Sequence, residues 1–273
     1  MLESSAEEQS EAIAQPLTVE QAIANLQDPD LSLRYYAAWW LGRFRVREPA
    51  AVERLIHALA DEEHRTVMGD YPLRRNAARA LGKIGDKQAV LGLIDCLNCS
   101  DYYVREAAAQ SLGMLGDPRA IPALMQLLSL GVAATEQVPG RPHAVQPCEA
   151  AIEALGSLGA TQAIPMIQPF LNQPVAKVQY AAMRAMYQLT GDDSYGQRLV
   201  QALAGNDLKL RRVVLADLGA IGYLPAASAI ASCAVENSFK LFALKGLLEH
   251  QSNSGTELSD GAIEVMGLMD SLL

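Results

Sequence analysis

Apolar positions along this chain recur with two superposed periods, a helical one of three to four residues and a longer one near 31 residues. The segments Leu33-Arg-Tyr-Tyr-Ala-Ala-Trp-Trp-Leu-Gly42, Leu73-Arg-Arg-Asn-Ala-Ala-Arg-Ala-Leu-Gly82 and Val104-Arg-Glu-Ala-Ala-Ala-Gln-Ser-Leu-Gly113 superimpose without a gap. Their marker Leu position recurs at residues 41, 81, 112, 155, 186, 218 and 247, in steps of 40, 31, 43, 31, 32 and 29. The two long steps contain insertions at residues 61–70 and 131–147. Four residues before each marker stands Ala37, Ala77, Ala108, Ala151, Ala182, Val214 or Ala243, which predicts one apolar helical stripe with small side chains for close helix approach. Gly-x-x-Gly elements, Gly82 to Gly85 and Gly113 to Gly116, predict the stop of that helix through a left-handed cap. Asp117-Pro118 then offers an N-cap and a first-turn proline for a second helix beginning Ala-Ile-Pro-Ala-Leu.

A helix pair of this size cannot hide its own apolar face, so neighbours must stack into a curved array with a concave groove. The expected fold is all-α: an α-solenoid of about six to seven helix pairs, similar to the HEAT-like repeat family. The seventh repeat, Asn237 to Glu249, is worn and predicted to act as a cap. The organisation expected is an acidic tail over residues 1–16, the repeat array over 17–250, and a polar linker with a short helix over 251–273.

Composition narrows the class. The chain has 273 residues, half of them apolar and 19% charged, which excludes disorder for its bulk. The longest uncharged stretch, residues 154–176, is broken by glycines and prolines and cannot be one membrane span. The N-terminus has neither a basic lead nor an apolar block, and four cysteines are too few for a disulfide scaffold, so a cytoplasmic location is expected. Seven acids and no base precede Arg34, so of the net charge of −9 only −2 belongs to the rest. No basic face is available for nucleic acid.

Candidate chemistry is sparse. None of the four histidines (His57, His64, His143, His250) is followed by Glu, so the His-Glu ligand pairs of HEAT-like iron hydroxylases are absent; Cys96 and Cys99 have no second pair to complete a zinc site, and no metal is expected. Cys148 takes the place held by Arg34, Arg74, Arg105, Arg211 and Lys240 in other repeats, at a helix start where a thiolate is favoured; a small residue interrupting the Arg ladder is the plainer reading. That ladder is suited to pair with the Asp of adjacent turns and to cap neighbouring helix ends, whereas Arg75 stands outside it. Five of 15 aromatics fall within ten residues: Tyr35, Tyr36, Trp39, Trp40 and Phe44. Pairing Tyr35 with Trp39 and Tyr36 with Trp40 gives two stripes, one of them predicted to face outward as a partner surface or a stacking wall, against the alternative of thicker packing at the N-terminal cap. In the longer insertion three prolines hold Arg141 and His143 close together.

The aromatic string, Tyr71-Pro-Leu-Arg-Arg-Asn-Ala-Ala-Arg-Ala-Leu-Gly82 and Val138-Pro-Gly-Arg-Pro-His143 together resemble the E/F-type bilin lyases of phycobilisomes. The resemblance implies a heterodimer with an F-type subunit that attaches phycocyanobilin, its substrate, to a cysteine of the phycocyanin α chain as a thioether, with no tightly bound cofactor. For such a groove Tyr35, Tyr36, Trp39 and Trp40 are the candidates for stacking or partner contact. Arg74, Arg75, Arg141 and His143 are the candidates for the bilin propionates. A phycoerythrocyanin-type lyase-isomerase subunit, or a non-catalytic scaffold or chaperone for phycobiliprotein assembly, stays open as an alternative.

Overall fold

The computed structural model describes residues 17–251 and 259–273. The acidic tail and most of the polar linker lie outside the described residues. Fifteen α-helices follow one another: α1 (Val19–Asn25), α2 (Leu31–Arg43), α3 (Pro49–Ala58), α4 (Pro72–Ile84), α5 (Val90–Cys96), α6 (Tyr102–Leu115), α7 (Ile121–Leu127), α8 (Cys148–Ser157), α9 (Ile164–Ile167), α10 (Ala176–Thr190), α11 (Asp193–Ala202), α12 (Leu208–Ala220), α13 (Ala227–Ser232), α14 (Asn237–Gln251) and α15 (Asp260–Asp270). Even-numbered helices from α2 to α14 carry the marker residues; odd-numbered ones are their partners.

The repeat frame dictates the core. Leu41, Leu81, Leu112, Leu155, Leu218 and Leu247 are fully buried with Met186 nearly so, and so are all the small residues four positions earlier. Burying a leucine removes about 1.5–3 kcal/mol of unfavourable contact with water, and here that gain is repeated at each step of the stack. Close approach between marker helices is enforced sterically: a Cβ at Gly42 would fall 2.6 Å from the Cα of Ala80. The two glycines of Gly-x-x-Gly divide the labour. Gly82 lies inside α4 against α6, whereas Gly85, at φ +82°, is the left-handed residue that ends the helix.

Marker helices pack directly on one another, α2 on α4, α4 on α6, α6 on α8, α8 on α10 and α12 on α14, while α3, α5, α7 and α13 each pack mainly on the marker helix that follows. Spacing that is tighter in one layer than the other bends the stack, and the marker layer takes the inside of the bend. The short C-terminal helix expected from sequence is α15; it packs on α13 and α14 through buried Ala262 and Val265, and so completes the last pair.

The arginine ladder caps helix ends, through carbonyls. Arg34 donates to Asp28 O, Arg74 to Asp61 O, Arg105 to Cys99 O and Arg211 to Gly205 O. Asp30, Asp101 and Asp207 instead accept N–H groups at the starts of their own helices. The Arg-to-turn-Asp pairing expected from sequence is seen where Arg34 lies 3.3 Å from Asp61, and the helix-end capping also expected is made by Arg34, Arg74, Arg105 and Arg211.

Candidate functional site

Superposing the seven marker helices identifies two positions, four residues apart, that lie on the inner surface. The first is filled by Tyr35, Arg75, Glu106, Glu149, Tyr180, Arg212 and Leu241; the second by Trp39, Arg79, Gln110, Glu153, Arg184, Ala216 and Lys245. Each pair follows from the 3.6-residue turn, which puts i and i+4 on one face. Gln110, Glu153 and Arg184, from three successive helices, line a single hollow of about 450 Å³ together with Met114 and Ser157. Along this stripe the chemistry changes in order: aromatic on α2, cationic on α4, acidic on α6 and α8, then Arg184 on α10.

The aromatic clump divides by register. Tyr35 and Trp39 belong to the inner stripe, 36% and 45% exposed. Tyr36 and Trp40 occupy positions that, in later repeats, face the preceding marker helix; α2 has none, so they face the end of the array. Rings pair differently from the i, i+4 expectation: Tyr36 stacks on Trp39 at 5.5 Å, Trp40 tilts onto Phe44 at 4.6 Å, and Tyr35 meets His64 edge-on at 6.3 Å. The Trp40 ring is partly buried against the core, whereas Phe44 is exposed.

Arg74, Arg75, Arg141 and His143 are not brought to one point. Arg74 is consumed by structure: it caps Ala60 and Asp61, pairs with Glu62 and lies 4.2 Å from the Tyr71 ring centroid. Arg141 clips the two insertions together, donating to Met68 O at 2.8 Å and facing Asp70 at 3.7 Å. The longer insertion closes through a bridge between Gln137 and Ala144 and is held from below by Arg105, which donates to Gln146 Oε1 and Val145 O. This fold-back lays His143 flat on Tyr102, 4.6 Å away and 10° from parallel, with Tyr103 edge-on at 5.7 Å. Arg75 is different. Its Nε is buried without a hydrogen-bond partner and its guanidinium stands 5.8 Å from the Tyr103 ring.

Sequence reasoning missed the rest of the stripe. Arg79 is exposed and makes only a 3.9 Å pair with Glu106. Burial raises the pKa values of Glu106 and Glu149 above the ordinary carboxylate value, making them weaker acids, and pushes Glu153 up to about 7. Polar residues at a fixed inner slot were legible in principle from the repeat alignment. Nucleophilic roles do not fit Cys96 and Cys148: burial pushes their thiols up to about 12, so both are protonated at neutral pH. Among the described residues no group of three or more metal-ligating side chains occurs, and no helix is long and apolar enough to cross a membrane.

Known proteins match over the whole of this architecture. The PBS lyase HEAT-like repeat matches residues 33–61 and 148–173, and HEAT repeats match 67–134. The phycocyanobilin lyase subunit alpha of Nostoc sp. PCC 7120 is 66% identical over the full length of both chains. That of Microchaete diplosiphon is 61% identical, covering 94% of this chain and 90% of the relative. The bilin biosynthesis protein PecE of Nostoc sp. PCC 7120 is 42% identical over 94% of this chain and 96% of its own. In structure the chain is similar to the solved complex of CpcE and CpcF of phycocyanin lyase from Nostoc sp. PCC 7120, with a TM-score of 0.91 and 66% identity over 99% of this chain and 100% of the other. Stacked helix pairs, the aromatic first repeat and identity across the full length together place this chain in the family of phycocyanobilin lyase alpha subunits.

Proposed function

We propose that this chain is the E-type half of a heterodimeric bilin lyase of the cytoplasm, which with an F-type subunit attaches phycocyanobilin to a cysteine of the phycocyanin α chain. The observation that carries the reading is the inner stripe itself. Tyr35 and Trp39 offer flat apolar faces to pyrrole rings. Arg75 and Arg79, one helix further, present guanidinium groups without strong partners, the chemistry that binds two propionates. Glu106, Glu149 and Glu153 follow, with acceptors for pyrrole N–H groups. Arg79 on α4 and Glu153 on α8 are two marker-helix steps apart, roughly 16–20 Å at the backbone.

Addition of a thiol to an ethylidene group needs a positioned, water-shielded bilin more than a protein nucleophile, and a preformed groove supplies that. Arg74 and Arg141 hold the insertions, and the His143 ring braces Tyr102 and Tyr103 beside the stripe. Tyr36, Trp40 and Phe44, at the open end of the array, are the partner-contact candidates.

The test combines the purified chain, an F-type partner, phycocyanobilin and apo-α-phycocyanin. A denaturant-resistant, zinc-fluorescent α chain formed only when both subunits are present is expected. A violet-shifted product instead indicates a lyase-isomerase, and a chain that neither accelerates attachment nor alters bilin spectra is a scaffold.

A further inference from the structure

Three helices contribute one charge each to an interlocked group on the inner face. The guanidinium of Arg184, on α10, lies 3.8 Å from Glu153 on α8 and 3.2 Å from Asp217 on α12. One cation therefore answers two carboxylates. Asp217 is only 2% exposed and its Oδ2 has no hydrogen-bond partner, nor has the buried Nε of Arg184. Lys177 on α10 adds attraction for Glu153, and Glu149 on α8, itself influenced by Glu106 of α6, completes the charged surroundings. Desolvation pushes Glu153 up to about 7 and Asp217 up to about 6, against the pull of Arg184. Two acids that share one guanidinium in this setting retain a proton between them near neutral pH. Glu153 lines the 450 Å³ hollow, and Asp217 stands behind it, in contact with Arg184.

Given the bilin-binding face argued above, on which this step rests, we infer that Glu153 is the acid that protonates a ring nitrogen of the bound bilin, and that Asp217, acting through Arg184, is a positioning residue that keeps the proton on Glu153. The proton passes from the Glu153 carboxyl to the nitrogen. Sulfur of the acceptor cysteine then forms a bond to the ethylidene carbon, and the π pair of the exocyclic double bond moves into the protonated conjugated system. The thiol proton returns to the Glu153 carboxylate. A thiol has been added across a double bond, nothing is oxidised or reduced, and the acid is regenerated.

The experiment follows phycocyanobilin with the intact heterodimer and apo-α-phycocyanin. In Glu153→Gln the bilin still binds, the red-shifted absorption of its protonated form disappears, and the attachment rate at neutral pH falls about 100-fold, as for loss of a general acid. A wild-type rate and pH profile in that variant overturns the assignment. Should Glu153→Gln fail to fold, Asp217→Asn gives an independent reading. Without the Asp217 charge Glu153 loses its proton more easily, so the alkaline limb of the rate profile moves to lower pH, and an unmoved limb overturns the inference. In the wild type the red-shifted band persists to a higher pH than in free bilin; coincidence of the two titrations also sinks it. A heterodimer that never changes the bilin spectrum, and whose bilin affinity ignores Arg75→Ala and Arg79→Ala, refutes the underlying bilin-face reading instead.

Discussion

Arg79 and Arg184 occupy the same slot of the same repeat, three marker helices apart in the stack, and do opposite things. Arg79 is 45% exposed, with one carboxylate at 3.9 Å; Arg184 is 17% exposed and wedged between Glu153 and Asp217. Register alone gives both the same direction, toward the groove. What separates them is the neighbour on the next marker helix: α6 presents Ala107 and Ser111 beside α4, whereas α12 presents Asp217 beside α10, at a position that on the other marker helices from α4 onward holds Ala80, Ser111, Ala154, Ala185 or Gly246. A repeat array can thus build a gripping end and a proton-holding end from one scaffold by changing the residue behind the slot.

The largest expected effect is on stability. Arg184→Ala leaves the buried Asp217 and the half-buried Glu153 without their cation and should cost about 3–5 kcal/mol in urea unfolding, while Arg79→Ala should change stability by no more than about 0.5 kcal/mol. Equal losses would erase the contrast. Binding should reverse the order. Arg75→Ala with Arg79→Ala should weaken phycocyanobilin binding by the heterodimer roughly 10- to 100-fold, the loss of charge-assisted bonds worth about 1.5–3 kcal/mol, with little change in the melting temperature.

The fold was legible because its signal repeats: seven markers and seven small residues at fixed spacing leave no other period to fit, and every one of them is buried. The site was legible only where a residue broke the pattern. Tyr35 and Trp39 stood out by clustering, and Arg75 by its place beside the ladder. Arg79, Glu149 and Glu153 did not, because a charged residue on a helix face reads as solvated until the curvature of the stack assigns that face to the inside. Asp217 carried a usable signal, an acid where its counterparts from α4 onward are small. The contact of His143 with Tyr102 carried none, since it spans 41 residues and depends on how the insertion folds back.

A pH series sharpens the comparison further. Glu153 and Asp217 bind protons more tightly in the fold than in the unfolded chain, at about 7 and about 6 against ordinary carboxylate values of 4.5 and 3.8. The folded state therefore holds more protons between roughly pH 4 and pH 7, and stability at these groups falls as pH rises through that window. The effect is on the order of 3 kcal/mol for each group. Relative to wild type, Glu153→Gln should flatten the dependence of melting temperature on pH between 5 and 8, whereas Arg79→Ala should run parallel to it. A parallel line for Glu153→Gln would show that its carboxyl is ionised throughout.

The smallest effect belongs to the brace between the two ends. His143 lies flat on Tyr102 and edge-on to Tyr103, so His143→Ala removes aromatic contacts worth about 0.5–1.5 kcal/mol. The lost contacts are local, because the insertion keeps its other anchors: Arg141 on Met68 O and Arg105 on Val145 O. Global unfolding should shift by no more than a few degrees, and amide exchange should accelerate at Val138 and Val145, whose N–H groups close the fold-back. Tyr102 and Tyr103 would then lose their lateral support beside Arg75, and bilin affinity should fall severalfold, well short of the loss expected for the two arginines. An unchanged exchange pattern with reduced affinity would mean that the His143 ring touches the pigment itself.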